Sequence, residues 1–304
     1  MNSPSAVPKH SYIGRFAPSP SGPLHFGSLM AAVASYLDAK ANKGQWLVRI
    51  EDLDPPREPK GASEQILEQL NALKLEWDGE VLYQSSRLEN YMQALNDLSE
   101  RNLCFQCNCS RKRIKSIGSI YDGYCRNRMN LDTKGCAIRV IADEIDLEFK
   151  DLVHGNYKKN IGTEIGDFII VRRDKLFAYQ LAVVVDDAFQ KVTHIIRGYD
   201  LIHSTPRQIY LQQLLNFPTP LYGHIPIVVN DQGQKLSKQH FATPIDAKEG
   251  PELIHRAFVL LGLSPPKGNK SAPVQEQLHW GIKKWDMQTV PKLANIPEDK
   301  PAKE

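Results

Sequence analysis

The chain has 304 residues, 41% hydrophobic and 24% charged, which excludes a wholly disordered or fibrous protein. Apolar runs such as residues 181–185 are far shorter than the roughly 20 residues that span a bilayer. Residues 1–10 lack the apolar stretch of a signal peptide, so we expect a flexible tail there, a cytoplasmic location and no membrane partner. The 38 basic and 35 acidic residues leave a charge of +3, which is compatible with an RNA partner without arguing for one.

Predicted strands and helices alternate in the first third of the chain. The periodicity predicts strand 11–16, helix 24–40, strand 45–50, helix 63–75 and helix 86–101. In the last helix we expect an inward face of Leu88, Tyr91, Met92, Leu95 and Leu98. This order is typical of βαβ units, so the fold class is α/β with a parallel sheet.

The middle of the chain is different. Residues 104–160 are polar, rich in cysteine and irregular, which indicates an insertion. The parallel pattern resumes with predicted strands 167–171, 177–185 and 192–197 and helix 205–216. Beyond residue 250 we expect an apolar helix at 251–263, a polar loop, a short segment at 280–285 and a frayed tail.

The loop before the first helix, residues 15–28, reads RFAPSPSGPLHFGS. Glycines allow a close approach to phosphate, the helix N-terminus favours anions, and His25 can donate to phosphate oxygens. An ordinary Pro/Gly connection with an exposed histidine fits the same residues. A second segment, KLSKQ at 235–239, carries Lys235 and Lys238, which either neutralise a leaving pyrophosphate or form a solvated turn.

Together the two segments resemble the HIGH-type and KMSKS-type signatures of class I aminoacyl-tRNA synthetases. Four further runs are similar to the glutamyl branch: RFAPSPSG at 15–22, RIEDLD at 49–54, FAYQLAVVVDD at 177–187 and RGYDLIHSTPRQ at 197–208. Ser28 and Gln239 depart from the general class I signatures, which leaves a contact of residue 28 with ATP open.

The resemblance implies a Rossmann-like catalytic domain in two halves, a zinc-binding insertion and a short helical C-terminal part. We expect the boundaries at 1–10 (tail), 11–103, 104–160 (insertion), 161–229 and 230–304 (KMSKS-type loop, helical segment and frayed end). The implied first reaction joins glutamate to ATP, with Mg²⁺ accompanying the ATP. The catalytic residues implied are His25, Lys235 and Lys238, and those for ATP are His25, Gly27 and Lys238.

Glutamate offers two carboxylates and one ammonium group, so its pocket requires cations and an anion or hydroxyl group. The resemblance implies that glutamate is bound by Arg15, Phe16, Ala17, Pro18, Ser19, Glu51, Tyr179 and Arg197. Without it, Glu51 is better explained as a strand-end carboxylate paired with Arg49 or Arg57. Asp186 and Asp187 are either ligand contacts or helix caps, and we leave them outside the predicted site.

The five cysteines indicate a metal site, because four of them lie within 22 residues and a fifth follows. Cys107, Cys109 and Cys125 supply three sulfurs; the fourth ligand is Cys104, Cys136, an oxygen or water, and spacing alone favours Cys104. Buried free thiols are the alternative. The resemblance implies instead one structural zinc on Cys107, Cys109, Tyr121 and Cys125, because zinc-bearing relatives carry a C-x-C pair followed by Y-x-x-x-C.

Only 66 residues follow Lys238, too few for a separate anticodon-reading domain. This resembles the glutamyl-queuosine branch, which implies tRNA-independent activation of glutamate and its transfer to the queuosine base of tRNA(Asp). The alternatives are a short synthetase that charges a tRNA 3′ end and a non-catalytic RNA-binding descendant. The basic runs 111–113 and 158–159 either touch tRNA phosphates or are solvated. We expect a monomer, although no pattern distinguishes it from a dimer.

Overall fold

The computed structural model describes residues 12–118, 120–128, 135–230, 232–235 and 243–298. The predicted tail at 1–10 and the predicted catalytic residue Lys238 lie outside these residues. Within the described ranges, no helix combines the length and the apolar character needed to cross a membrane.

Helices and strands alternate along most of the described chain. The helices are α1 (Phe26–Ala41), α2 (Ala62–Ala72), α3 (Leu88–Glu100), α4 (Arg111–Ser116), α5 (Tyr179–Phe189), α6 (Thr205–Leu214), α7 (Gly250–Leu260) and α8 (Val274–Lys284). The strands are β1 (Ile13–Phe16), β2 (Gln45–Ile50), β3 (Leu82–Tyr83), β4 (Cys104–Cys107), β5 (Ala137–Val140), β6 (Asp146–Asp151), β7 (Gly155–Asn160), β8 (Phe168–Val171), β9 (His194–Gly198), β10 (Leu221–Ile225), β11 (Ile227–Val229) and β12 (Asn295–Pro297).

The fold is built on two adjoining groups of parallel strands. Strands β1, β2 and β3 pair in parallel, with Ile13 opposite Gln45. Strands β9, β10 and β6 also pair in parallel, and β7 closes this group as an antiparallel edge. The amide of Thr193 donates to the carbonyl oxygen of Ile13 at 2.9 Å, so β9 lies beside β1. The predicted α/β class with a parallel sheet is therefore confirmed.

Helix α1 packs its apolar side into the larger hydrophobic core. Leu29, Leu37 and the facing Trp46 of β2 are fully buried there. A second core lies under α3, α5 and α6. Because the two cores meet along the central strands, the loops at the strand ends are held on a rigid base.

The prediction of an irregular segment over 104–160 is wrong. Strands β4, β5 and β8 form an antiparallel sheet, and β6 and β7 form a hairpin. The sequence predicted that the parallel pattern resumes at 167–171. Strand β8 occupies most of these residues but pairs antiparallel with β5, so that prediction is wrong. Strands β4 and β5 have only four residues each, which is too short for alternation to be distinctive.

The predicted strand 177–185 is also wrong, because α5 occupies Tyr179–Phe189. All residues from 181 to 187 are buried between neighbouring helices. A short apolar run of this kind fits a buried strand and a buried helix equally well, and periodicity cannot separate them.

The predicted inward face of α3 needs correction. In α3, Tyr91, Leu95 and Leu98 are buried as predicted, but Leu88 and Met92 are about half exposed, at 50% and 47%. These two residues lie four apart, on the solvent side of the apolar stripe.

The end of the described chain is ordered rather than frayed. A second helix, α8, follows α7, and the indole Nε1 of Trp285 donates to Asp38 at 2.8 Å. Strand β12 pairs in parallel with β11, with Ile296 opposite Val228. The predicted frayed tail is therefore wrong as far as residue 298.

Candidate functional site

The first loop connects β1 to α1 and ends in a reciprocal helix cap. His25 Nδ1 accepts a hydrogen bond from the Ser28 amide at 3.2 Å, and Ser28 Oγ accepts from the His25 amide at 2.9 Å. This pairing satisfies two amides of the first turn. Ser28, which replaces the second histidine of the HIGH-type signature, therefore fixes the orientation of the His25 ring.

A cavity of about 730 Å³ opens in front of this helix end. The predicted catalytic, glutamate and ATP residues that the structure describes all line it, from five separate parts of the chain: Arg15, Phe16, Ala17, Pro18, Ser19, His25, Gly27, Glu51, Tyr179, Arg197 and Lys235. The N-terminus of α1 carries the positive end of the helix dipole, which suits phosphate. The structure thus brings these residues together, and the ligand that each one contacts stays a prediction.

Arg15 and Arg49 are joined by one buried carboxylate. Asp187 Oδ1 lies 3.1 Å from Arg15 Nε and 2.8 Å from Arg49 Nη1, and its Oδ2 lies 3.3 Å from Arg15 Nη2. Burial opposes ionisation of Asp187, but the two guanidinium groups lower its pKa. Asp187, which the sequence left outside the site, therefore fixes the orientation of both arginines.

Glu51 follows β2 directly and is buried beside the same charges. Its Oε1 lies 3.4 Å from Arg49 Nη2, which is the structural pair considered from the sequence. Burial raises the pKa of Glu51, while Arg49 and Arg15 oppose that shift. Glu51 also lines the cavity, so the pair with Arg49 leaves it positioned to face a bound cation.

Arg197 is held by a buried chain of polar groups. Its Nε donates to His224 Nε2 at 3.1 Å, and His224 Nδ1 lies 2.6 Å from Asp151 Oδ2. Its Nη2 donates to Thr205 Oγ1 at 2.8 Å, and its Nη1 lies 3.4 Å from the Tyr179 hydroxyl. Asp151 belongs to the predicted insertion and His224 to β10, and no signal in the sequence marks either as part of the site.

The described part of the second signature reaches the same cavity. Lys235 Nζ lies 2.6 Å from Asp200 Oδ2, and both residues line the cavity. Asp200 was part of the quoted run at 197–208 but was not predicted as a site residue. The pair ties the start of the lysine-rich segment to the turn after β9.

A second cavity, of about 610 Å³, adjoins the first. The two share Ser19, Ser21, Glu51 and Tyr179 as a common wall. A second substrate could therefore approach a ligand in the first cavity from this side.

Cys107, Cys109 and Cys125 form a cluster whose sulfur atoms all lie within 4.8 Å of one another. The Tyr121 hydroxyl oxygen is 3.5 Å from the Cys107 sulfur and 3.4 Å from that of Cys109. Burial opposes thiolate formation, but hydrogen bonds from Tyr121 and Arg139 lower the pKa of Cys107 to about 7. Three converging thiols and a phenol oxygen fit a metal ion with tetrahedral preference.

The other two cysteines are placed differently. Cys104 begins β4 and packs at the edge of the second core, away from the cluster. Cys136 is buried, and it is not among the metal-competent group found in the described residues. The spacing that favoured Cys104 therefore misleads, because Cys104 and Cys107 lie three apart in a strand and so face opposite sides.

Comparison with known proteins agrees with this geometry. The model of the family described as tRNA synthetases class I (E and Q), catalytic domain, matches residues 13–279. The chain is 47% identical over 294 residues to a glutamyl-Q tRNA(Asp) synthetase of Pseudomonas fluorescens, covering 97% of this chain and 98% of the relative. It is 48% identical over 290 residues to the protein of that name in Pseudomonas aeruginosa PAO1, covering 95% and 99%.

Solved structures show the same fold. A glutamate-tRNA synthetase from Elizabethkingia anophelis superposes with a TM-score of 0.79 at 24% identity, over 94% of this chain and 68% of that one. A glutamate tRNA ligase from Elizabethkingia meningosepticum, in complex with its amino acid, gives 0.78 at 24% identity, over 96% and 67%. The family match over most of the chain and the relatives at nearly half identity establish that this protein belongs to the class I tRNA synthetases (E and Q).

Proposed function

We propose that this protein is a ligase that activates glutamate with ATP, without tRNA, and then transfers it to the queuosine base of tRNA(Asp). The observation that carries the proposal is the match, over nearly the full length of both chains, to relatives named glutamyl-Q tRNA(Asp) synthetase. The geometry supports it, because one cavity gathers the groups that an adenylate-forming site requires.

In the first half-reaction a carboxylate oxygen of glutamate attacks the α-phosphorus of ATP. A phosphorus–oxygen bond forms, the bond to pyrophosphate breaks, and glutamyl-adenylate remains bound. This step needs positioning and charge stabilisation rather than covalent catalysis. His25 and the N-terminus of α1 face the phosphates, Lys235 and Lys238 neutralise the leaving pyrophosphate, and Mg²⁺ enters with ATP.

Recognition of glutamate follows from the charges around the cavity. Arg15 and Arg197 receive its two carboxylates, Glu51 holds its ammonium group, and Tyr179 adds a hydroxyl. The loop at 16–19 supplies backbone and small side chains beside them. Because Asp187 and His224 already orient the two arginines, the pocket is preorganised before glutamate arrives.

In the second half-reaction a hydroxyl on the cyclopentene ring of queuosine attacks the carbonyl carbon of the adenylate. An ester bond forms, AMP leaves and the proton of the hydroxyl is released. The second cavity meets the first at Ser19, Ser21, Glu51 and Tyr179, so it gives the base an approach to this carbon. Since ATP and tRNA are its substrates, we place the enzyme in the cytoplasm, where a monomer suffices.

The metal that we propose for the cysteine cluster is one zinc ion, held by Cys107, Cys109, Cys125 and Tyr121. Four ligands from the protein would close the coordination sphere, which is typical of a structural site. The cluster lies in a small core of its own, so bound zinc would brace this part of the chain.

The proposal is tested with labelled glutamate and two preparations of tRNA(Asp), one containing queuosine and one with guanosine at the same position. We expect glutamate-dependent ATP–pyrophosphate exchange without tRNA, and labelling of the queuosine-containing tRNA alone. Equal labelling of both tRNAs at the 3′ end would establish the short charging enzyme instead. Absence of exchange would favour a non-catalytic RNA-binding protein.

A matched pair of variants checks the assigned chemistry. Lys238→Ala should lower the exchange rate by about 10²-fold, since it removes a charge that acts on the transition state. Lys283→Ala, on the exposed side of α8, serves as the control and should leave exchange unchanged. An unaffected Lys238→Ala variant would remove Lys238 from the catalytic set.

A further inference from the structure

Three cavities follow one another along the surface and share lining residues. The first and second share the wall around Glu51 and Tyr179, and the second and third share Arg172. The third, of about 500 Å³, lies beside Cys107 and Cys109. The second cavity therefore adjoins both of the others, and the third lies on the side of the cysteine cluster.

The third cavity is strongly basic. Its ionisable residues other than cysteine are Arg111, Lys115, Arg139, Arg172, Arg173 and Asp174. Five cations facing one carboxylate repel one another unless a polyanion or solvent compensates them. The neighbouring second cavity is different, since Glu51, Asp54 and Glu58 balance its two arginines.

Not all five cations are available to a ligand. Arg172 pairs with Asp54 at 3.1 Å and with Asp174 at 2.6 Å. Arg139 is buried and stacks on the Tyr121 ring, 4.2 Å from its centroid. These two cations therefore belong to the structure of the cavity wall.

The other three are exposed, and none of them forms an ion pair with a residue that the structure describes. Arg111 and Lys115 project from α4, and neither enters an ion pair with another residue in the described ranges. Arg173 donates from Nε to the carbonyl oxygen of Gly135 at 2.7 Å, and it too lacks a carboxylate partner among the residues described. These three side chains, which we call the basic rim, carry the net charge of the cavity.

Three other basic residues of the two basic runs, Arg113, Lys158 and Lys159, are paired with carboxylates. Arg113 lies 2.5 Å from Asp122, Lys159 lies 2.6 Å from Glu164, and Lys158 lies 2.8 Å from Asp146. The structure thus separates the basic runs seen in the sequence: most of their charge is paired, whereas the basic rim is left for a ligand.

We propose that the basic rim binds backbone phosphates of the tRNA on the side of the acceptor nucleotide that faces the cysteine cluster. This inference rests on the proposed function. Three exposed cations line one cavity, which shares Arg172 with the cavity proposed for the acceptor base, and such a group is complementary to a polyanion. Phosphate contacts position a nucleic acid without reading its sequence, so the rim would set the approach of the acceptor base and not its identity.

The test uses the full-length protein and a double charge reversal, Lys115→Glu with Arg173→Glu. The control is Lys283→Glu with Lys284→Glu, two exposed lysines on α8 that change the net charge equally. Filter binding measures the dissociation constant for tRNA(Asp) from 50 to 200 mM salt. ATP–pyrophosphate exchange, measured in parallel, reports whether the adenylate site is intact.

We expect the rim variant to bind tRNA at least 10-fold more weakly, with the salt slope reduced by about two and exchange unchanged. The loss should be equal for tRNA with and without queuosine. The control should change binding less than 2-fold. Unchanged binding in the rim variant, or an equal loss in the control, would overturn the proposal.

The experiment also distinguishes a folding defect of the rim variant from a failure of the proposed function. If exchange falls with binding, Lys115→Gln with Arg173→Gln is measured at matched thermal stability, and normal tRNA affinity in that variant would count against the rim. If the wild-type protein shows no exchange, the proposed function fails, while filter binding still decides whether the rim holds RNA. If the basic rim bound a protein partner and did not bind tRNA, that result would also contradict the inference.

Discussion

Asp151 and His224 form a pair with both side chains at 0% exposure, and Asp151 Oδ2 lies 2.6 Å from His224 Nδ1. Because Arg197 Nε donates to His224 Nε2, the imidazole is neutral and carries its proton on Nδ1. Asp151 also accepts from the amides of Val153 and His154. A strand from the predicted insertion thus controls the orientation of an arginine that lines the first cavity.

The first prediction concerns glutamate binding. Asp151→Ala frees the His224 ring and, through it, the Arg197 guanidinium, so we expect the KM for glutamate to rise by about 10-fold or more. The KM for ATP should change less than 2-fold, because none of the residues assigned to ATP belongs to the hydrogen-bonded series Asp151, His224 and Arg197. ATP–pyrophosphate exchange at varied glutamate and ATP measures both.

His279→Gln, on the exposed side of α8, is the control and should leave both constants unchanged. Asp151→Asn keeps an acceptor for Nδ1 and should restore much of the glutamate affinity. Equal increases in both KM values for Asp151→Ala would indicate a general loss of structure instead of a positioning role.

The second prediction concerns stability at low pH. Burial and the charge of Arg197 lower the pKa of His224 to about 4, although Asp151 opposes the shift. In the unfolded chain the pKa is about 6.5, so between pH 6.5 and 4 the unfolded state binds more protons. Stability contributed by the neutral ring is complete above pH 6.5 and is lost as pH falls towards 4.

Urea unfolding at pH 7.5 and pH 5 tests this sign. The wild-type protein should lose roughly 2 kcal/mol more between these values than His224→Gln does, since that variant has no ring to titrate. Titrating groups that do not interact with His224 are the same in both proteins and cancel in the comparison; Asp151, whose pKa His224 lowers, is the exception. The same pH dependence in the two proteins would show that His224 does not titrate differently on unfolding.

The third prediction concerns Asp187. Asp187→Asn leaves Arg15 and Arg49 buried without their shared carboxylate, so we expect unfolding free energy to fall by about 3–5 kcal/mol. Asp97→Asn is the matched control: it removes an exposed pair with Arg101 and should cost less than about 0.5 kcal/mol. Similar losses from both would show that burial of the network adds nothing.

The fourth prediction concerns the metal. Cys107→Ser should abolish bound zinc, because it removes one of three converging thiolates, whereas Cys104→Ser should leave the zinc content unchanged. Metal analysis of the purified variants gives the answer. Tyr121→Phe should keep zinc but bind it more weakly, measured as faster release to a chelator; release at the wild-type rate would exclude the phenol as a ligand.

Sequence motifs anticipated the cavity well because its residues occur in short runs with unusual composition. Arg15 lies near the end of β1, His25 caps α1, Glu51 follows β2 and Tyr179 begins α5, so motif and geometry coincide at the ends of elements. The partners that orient them were harder to find. Asp187 appeared to be one of two equivalent acids, and only the fold shows that it bridges two arginines.

Asp151 and His224 could not have been predicted, since they lie 73 residues apart and meet only through the pairing of β6 with β10. The helix at 179–189 was missed for a different reason. Its apolar run carries no period when every side is buried. Strands β4 and β5 were missed because four residues each leave too short a pattern, whereas the alternation in β6 was there to be read.

The pairing of β11 with β12 has a consequence for how the chain folds as it is made. Ile227 and Val228 line the cavity, and their strand neighbours are residues 295 and 296. Leu37 of α1 packs against Gly281 of α8. The apolar face of α1 therefore stays uncovered until α8 has been synthesised. During translation, α1 and the loop at 15–28 are therefore synthesised before α8 and β12, which pack beside them in the folded protein. We expect this nascent stage to be the one most dependent on chaperones.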